Sequence, residues 1–441
     1  MSSLSAAACL TIVTLGACTQ GRVAGALAEA DRYLTESTDV ERYLAYCNAM
    51  LGRPYQSFYV RPAAAWLDVF TSGAREQPAD FPMLTPARPL VPYRDFLVEY
   101  PPGFFLVALP PALLGSGAHS YAIAFGAFMA ALLFGAVTIS ARIAPHADGR
   151  LPPAAIALWV LAAALGLGTV VTQRYDAAIA ILLCAMCWAT LARRPAVLGV
   201  AAGAALAIKI VPAVAALICG AHLLRERRIR DLQIAAALAA LTAIAICAPA
   251  IVAAPSGVLD FVRYHRDRPL EVGSTAAAVV GLWHAIDPGS IAVTRSYGSS
   301  NVVGRSTGAA LTASAIAGAA GLAWILVAAW RGLDPSRPPS SRARVLLSAT
   351  IALLAVVIVT SKVASPQYLV WLLPLGVLAT LIDGRRWPMA LLLTTLVLAQ
   401  IVYAVVLSDV EALRPWALAL VLARNTGLAV WALMIAARAR R

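Results

Sequence analysis

Lysine is almost absent from this chain: Lys209 and Lys362 stand against 33 arginines. In so arginine-rich a composition, a retained lysine points to a need for a compact point charge. Both lie at the ends of apolar runs, where the plain alternative is a side chain reaching back to lipid headgroups. A denser cluster occupies FVRYHRDRPLE, 261–271, with three arginines including Arg263 and Arg268, one histidine, His265, and two acids including Glu271. Such density suits an anionic group, because Arg and His give charge-assisted hydrogen bonds to phosphate oxygens. A solvated loop that pairs with itself is the alternative. Asp39, in STDVERY, could take a proton from a sugar hydroxyl if nearby cations keep it ionised. The same residues also spell a helix start, with Ser37, Thr38 and Asp39 ahead of Glu41. His265 and His284 have no recognised ligand spacing, so neither a metal nor another cofactor is expected. Cys184-x-x-Cys187 falls inside an apolar run and reads as packing.

The elements that must position these residues are apolar. Of 441 residues 61% are hydrophobic and 13% charged, with mean hydropathy +0.77, which excludes a soluble globular protein. A bilayer crossing takes about 20 apolar residues. Apolar runs at 4–20, 119–141, 151–172, 176–192, 196–208, 211–224, 232–253, 305–330, 345–360, 367–382, 388–408 and 415–437 give an all-α polytopic membrane protein with about 12 transmembrane helices. The run 100–115 is short and carries two Pro pairs, so it reads as an interfacial or re-entrant helix. Lys209 and Pro212 interrupt what would be one helix and leave a broken pair. Leu15 to Cys18 resembles a lipoprotein cleavage box, but no Lys or Arg precedes Arg22, and an uncleaved first helix is expected.

Basic residues orient the array. With the N-terminus inside, the short inner connections hold Arg142 and Arg150, Arg193 and Arg194, the run Arg225 to Arg230, Arg331 to Arg344, Arg385 and Arg386, and Arg438 to Arg441. These are 17 of the 35 cations, beside five acids. The first loop instead balances eight Arg against ten acids over 21–100. The net charge of +13 thus reflects cytoplasmic loops of a cell-membrane protein rather than nucleic-acid binding. The same alternation puts every unusual polar cluster outside: 38–43, 94–103, 173–176, Lys209, 263–271 and 361–368.

Six of these segments, in order, resemble a known family. TDVERYLAYCNAMLGRPY (38–55), VPYRDFLVEYPPG (91–103), QRYDAAIA (173–180), AIKIVP (207–212), YHRDRPLEVGS (264–274) and SPQYLVWLLP (365–374) are similar to motifs of the glycosyltransferase-C superfamily. The likeness is to bacterial polyprenyl-phosphate-mannose-dependent mannosyltransferases that build envelope glycolipids. It implies one transmembrane domain over 1–441. An extracytoplasmic first loop with interfacial helices would span 21–118, and a second loop, 254–304, would carry donor-phosphate residues. It also implies a polyprenyl-phosphate sugar donor, a glycolipid or glycan acceptor, membrane lipids around both, and inversion at the anomeric carbon. On that likeness Asp39 is the general base. His265 meets the donor phosphate with Arg268 beside it, while Lys209, Lys362 and Arg174 help to hold the leaving phosphate. Asp176 and Glu271 orient cations or sugar hydroxyls, and Arg263, Gln367, Tyr368, Glu99 and Tyr100 complete the substrate-binding set. One departure stands out: some 36 residues separate Tyr55 from Pro92 where the family runs on directly. An arabinofuranose donor is the alternative within the class. A transporter or flippase is the alternative outside it, since intramembrane charges and broken helices also mark transport pathways.

The charge pattern makes a direct prediction. Cysteines introduced at Arg194, Arg228 and Arg386 should react with an impermeant maleimide only from the cytoplasmic side. Labelling of any one from outside would undo the helix count.

Overall fold

The computed structural model describes residues 38–62, 80–149 and 151–438; the expected first span at 4–20, with its Leu15–Cys18 box, lies outside them. The chain is mostly helical. It opens with α1 (Thr38–Met50), then a 3-10 turn at Pro102–Phe104 leads into α2 (Phe105–Leu114) and α3 (Ala118–Ile143). The run 151–172 divides at Gly168 into α4 (Pro153–Leu167) and α5 (Val170–Gln173), and α6 (Asp176–Leu191) and α7 (Pro195–Ile208) follow. At the expected break Lys209 is extended, with φ −160° and ψ 110°, and the chain passes through a 3-10 turn at Val211–Val214 into α8 (Ala215–Arg225). Then come α9 (Ile229–Ala253), α10 (Asp260–Asp267), α11 (Thr275–His284), α12 (Thr307–Gly332) and α13 (Pro339–Thr360). A 3-10 stretch at Pro366–Leu372 precedes α14 (Leu373–Asp383) and α15 (Arg386–Gln400). The last run but one does not stay a single helix: a π turn at Ile401–Val405 separates α15 from α16 (Leu407–Glu411), before α17 (Pro415–Arg438).

Seven helical segments are long and apolar enough to cross a membrane, namely 118–147, 229–253, 307–332, 339–360, 366–383, 386–405 and 415–437. The other apolar helices have 10–17 residues, fewer than the roughly 20 that one crossing takes. The apolar runs from 119 onward therefore do become helices, but seven full-length segments stand among the described residues where the sequence suggested about twelve. Burial sorts the long ones. In α13 and in 366–383, 72% of the most apolar window is buried, against 6% in α9 and 11% in α12. The first two form the centre. The latter two turn residues such as Leu241, Ile244, Val252 and Ile316 outward, as lipid-facing helices do.

Two small sheets depart from the all-helical expectation. β1 (Tyr55–Gln56) pairs antiparallel with β2 (Met83–Leu84). β3 (Leu270–Glu271), β4 (Ile291–Ser296) and β5 (Ser299–Gly304) form a second sheet in the order β3-β5-β4, with Val302 opposite both Leu270 and Val293. Tyr297 and Gly298 close the β4–β5 hairpin, both with positive φ, 52° and 65°, the backbone that a two-residue turn needs to match strand twist.

Glycine sets two close approaches. A Cβ on Gly103 would meet the backbone of Ala207 at 2.6 Å, so the Pro-Pro-Gly segment can rest on the end of α7 only without a side chain. Gly199 and Gly203 sit four apart on α7; a Cβ on Gly199 would lie 2.5 Å from the Ala235 carbonyl oxygen of α9, and one on Gly203 would overlap that of Ala239. This is the small-x-x-x-small arrangement by which helices pack backbone to backbone in lipid. At the end of α13 away from Ser361, Arg342 pairs with Glu226 at 2.6 Å and Arg225 with Asp334 at 2.6 Å. The arginine-rich connections after α8 and α12 thus meet each other there.

Gly203→Val should force α7 and α9 apart. Overpacking of this kind costs about 1–3 kcal/mol, read as a lowered thermal midpoint of the purified protein in detergent. A midpoint equal to that of the parent would contradict the close packing.

Candidate active site

One cavity of about 540 Å³ gathers the polar segments. Its floor begins with α1, whose first turn presents Asp39, with Arg42 one turn further on. Asp39 thus lies inside the helix rather than capping it; Ser37 is outside the described residues. Arg174 comes from the extended residue between α5 and α6. One guanidinium nitrogen of Arg174 forms an ion pair with Asp39, and the other donates to the Tyr403 hydroxyl at 3.1 Å. Arg42 stands 3.9 Å from the other Asp39 oxygen and donates to Glu99 at 2.6 Å. The second Glu99 oxygen accepts from the Tyr46 hydroxyl at 2.6 Å. Glu99 therefore has both oxygens hydrogen-bonded, whereas Asp39, which lines the cavity with it, pairs with Arg174 and faces Arg42 only at 3.9 Å.

A third cation enters at the break after α7. Lys209 Nζ donates to Asp176 Oδ1 at 2.7 Å, and the same oxygen accepts from Trp371 Nε1 at 2.5 Å. The ammonium lies 4.7–5.0 Å from the ring centroids of Tyr175, Tyr368 and Trp371, close enough for cation–π attraction. Asp176 is fully buried and sits behind Lys209 instead of lining the cavity. Tyr368 and Gln367, at the start of the 3-10 stretch 366–372, do line it.

The far wall is α10 and the segment after it. His265 Nε2 lies 3.1 Å from the Glu99 carbonyl oxygen, and Arg268 donates to Ser299 Oγ at 2.8 Å. Arg268 Nε is buried without a partner. Glu271 accepts from the Ala364 N–H at 3.0 Å, while Lys362 Nζ donates to the Arg266 carbonyl at 2.8 Å, so the 361–368 segment is tied to 266–271. Tyr100 lines the cavity and stacks on Phe104 with centroids 4.5 Å apart. Arg263 points elsewhere: its side chain is 59% exposed and lies 3.5 Å from Asp260. On an eight-residue helix with His265 turned inward, a residue two positions earlier falls toward the opposite side. All the other expected site residues, Asp176 excepted, line this one cavity.

Sequence reasoning missed part of the wall. Arg42, Arg295, Ser299, Ser300, Tyr403 and Glu411 also line it. The hairpin brings Ser300 to Glu411, at 2.5 Å, and the Tyr297 carbonyl to the Tyr264 hydroxyl, at 2.5 Å. β-branched residues on either side of Tyr297-Gly298, namely Ile291, Val293 and Thr294 before it and Val302 and Val303 after it, were the available hairpin signal. For Glu411 and Tyr403, carried by the π turn and the helix after it, the sequence held none. Asp95, another carboxylate of the outer motifs, is held by Arg88 at 2.9 Å and Arg94 at 3.1 Å outside the cavity. Among the described residues no cluster of three or more His, Cys, Asp or Glu could hold a metal ion.

Apolar helices of crossing length beside a cation-rich cavity are the architecture of an integral membrane protein. Residues 96–360, more than half of the chain, match glycosyltransferase family 87. The chain belongs to that family and is a membrane glycosyltransferase. The matched span holds Glu99, Arg174, Asp176, Lys209, His265, Arg268 and Glu271, whereas Asp39, Lys362, Gln367 and Tyr368 lie beyond its ends. No curated protein and no solved structure matches the chain.

Burial, with Arg268 nearby, pulls the His265 imidazole down from 6.5 to about 4, so the ring is neutral at physiological pH. The unfolded chain takes up this proton more readily than the folded one. The contribution to stability is therefore complete above about pH 6.5 and is lost as pH falls toward 4. His265→Gln should flatten the fall in thermal midpoint over that window. An unchanged slope would mean that His265 titrates normally.

Proposed function

We propose that this protein is an inverting glycosyltransferase that moves a sugar, mannose on the motif resemblance, from a polyprenyl-phosphate donor to a glycolipid or glycan acceptor. By the charge count of the loops, the reaction takes place on the extracytoplasmic face of the cell membrane. The observation that carries the reading is the placement of Asp39 in one cavity with Arg42, Arg174, Lys209, Arg268 and Lys362. The cavity volume, about 540 Å³, lies in the range of small-ligand sites, about 300–1,000 Å³. Membership of a glycosyltransferase family favours transfer over transport.

In this mechanism Asp39 accepts the proton of an acceptor hydroxyl, and that oxygen attacks the anomeric carbon. The bond from that carbon to the phosphate oxygen breaks on the opposite face, and the phosphate leaves with the bonding pair. Lys209, Arg268 and Lys362, with Arg174, stabilise the charge that develops there, the preorganised electrostatics that usually supplies the largest share of catalysis. His265, neutral but able to donate one N–H, adds a hydrogen bond. Asp176 holds Lys209 in place. The side-chain cations supply the charge neutralisation, so no divalent metal is assigned to the site.

Asp39→Asn keeps the shape of the side chain and removes the proton acceptor. Transfer from polyprenyl-phospho-mannose by the purified protein should fall by about 10²–10⁴-fold, the usual worth of a general base, while donor binding persists. Near-normal turnover at equal expression would reduce Asp39 to a partner for Arg174. A parallel assay with the corresponding arabinose donor decides the sugar, and product mass identifies it.

A further inference from the structure

Helix α1 has two faces, and the proposed chemistry uses only one. Asp39 and Arg42 look into the cavity described above. Glu41, Leu44, Ala45 and Asn48 recur at the i, i+3, i+4, i+7 spacing of a single helix face, rotated to the other side. That face borders a separate cavity of about 700 Å³, walled also by Arg53, Tyr55, Gln56, Tyr59, Met83 and Ser116. Several of these residues come from the β1–β2 ribbon, built within the stretch that separates Tyr55 from Pro92. The departure from the family pattern thus has a structural product: it walls a second pocket.

The chemistry of this pocket differs from that of the first. Among the described lining residues Arg53 is the single cation, and one nitrogen of it already donates to the Ala112 carbonyl at 2.8 Å. Glu41 accepts from the Tyr59 hydroxyl at 2.7 Å. Asn48, 5% exposed, donates through its amide nitrogen to the carbonyls of Pro54 at 3.1 Å and Ser116 at 3.3 Å. Those two carbonyls fix the amide orientation, since a flip would set oxygen against oxygen. The Asn48 Oδ1 is left buried without a partner. A carboxylate, two amides, two phenol rings and a thioether with one committed guanidinium suit a neutral polyhydroxylated ligand better than a phosphate.

We propose that this second cavity binds the non-reacting sugars of a glycan acceptor, an assignment that rests on the transferase reading above. The two cavities are linked through Tyr59. Its hydroxyl holds Glu41, and its ring lies 5.9 Å from the Arg42 guanidinium, which in turn reaches Glu99 and Asp39. A sugar seated against Tyr59 therefore bears on the group that borders the proposed base. Binding energy from remote sugars would thereby be used at the reacting hydroxyl.

The test compares octyl mannoside with an octyl-linked linear mannotetraoside as acceptors. The parent should prefer the tetraoside, and the double variant Gln56→Ala/Tyr59→Phe should lose that preference by about tenfold in kcat/KM, the worth of one or two hydrogen bonds. An unchanged preference in a variant of parental thermal midpoint overturns the assignment. If the parent glycosylates neither acceptor, the transferase reading with these acceptors fails, and calorimetric binding of mannotetraose decides the second cavity separately. Binding that persists in excess short-chain isoprenyl phosphate and weakens in the double variant supports it. No binding to the parent, or displacement by the phosphate, refutes it.

Discussion

Three elements that are far apart in sequence are pinned at one oxygen. Asp176, at the first residue of α6, accepts from Lys209 at the break after α7 and from Trp371 in the 3-10 stretch before α14. A carboxylate with no exposed surface is tolerable only when paired, and here the partners are what the cavity needs held. The lysine replaces the last turn that would have joined α7 to α8, and it is set among three aromatic rings that share its charge. All three of those rings, Tyr175, Tyr368 and Trp371, also line the cavity. The broken helix, the non-α stretch at 366–372 and the buried acid are therefore one arrangement. Removing Asp176 would leave a buried ammonium without its counter-charge and free three backbone segments at once.

The helices were legible because lipid leaves the backbone few alternatives. Runs such as 232–253 and 305–330 had only to be long and apolar, and α9 and α12 follow them within a few residues. Convergence of the site was legible for a different reason. Charged residues are scarce at 13% of the chain, so the motifs carrying them had to be clustered, shielded or at an edge, and most proved to share one cavity. What could not be read was set by backbone detail. The π turn at Ile401–Val405 brings Tyr403 to Arg174, yet an apolar run looks the same whether its hydrogen bonds step by four or by five. Arg263 was grouped with His265 by proximity in sequence, and helical rotation separated them. The burial of Asp176 behind Lys209 depends on Trp371, a residue that periodicity marks only as core.

The pairing of Asp39 with Arg174 and Arg42 bears on the order of events. A substrate hydroxyl that approaches Asp39 meets oxygens already facing two guanidinium groups. A lipid-linked phosphate in the same cavity offers Arg174 a competing anion. On the proposed mechanism, donor binding then does two things: it places the anomeric carbon and draws a cation away from the base. Arg42 is less free to follow, because Glu99, itself held by Tyr46, keeps it at 2.6 Å. The two arginines are thus unequal, one anchored by a buried carboxylate and one tethered only to a phenol beyond its ion pair. That inequality would let a single substrate activate Asp39 while the second arginine keeps the carboxylate in position. On the proposed mechanism, activation and alignment, which pull in opposite directions on one charged group, would be divided between two residues.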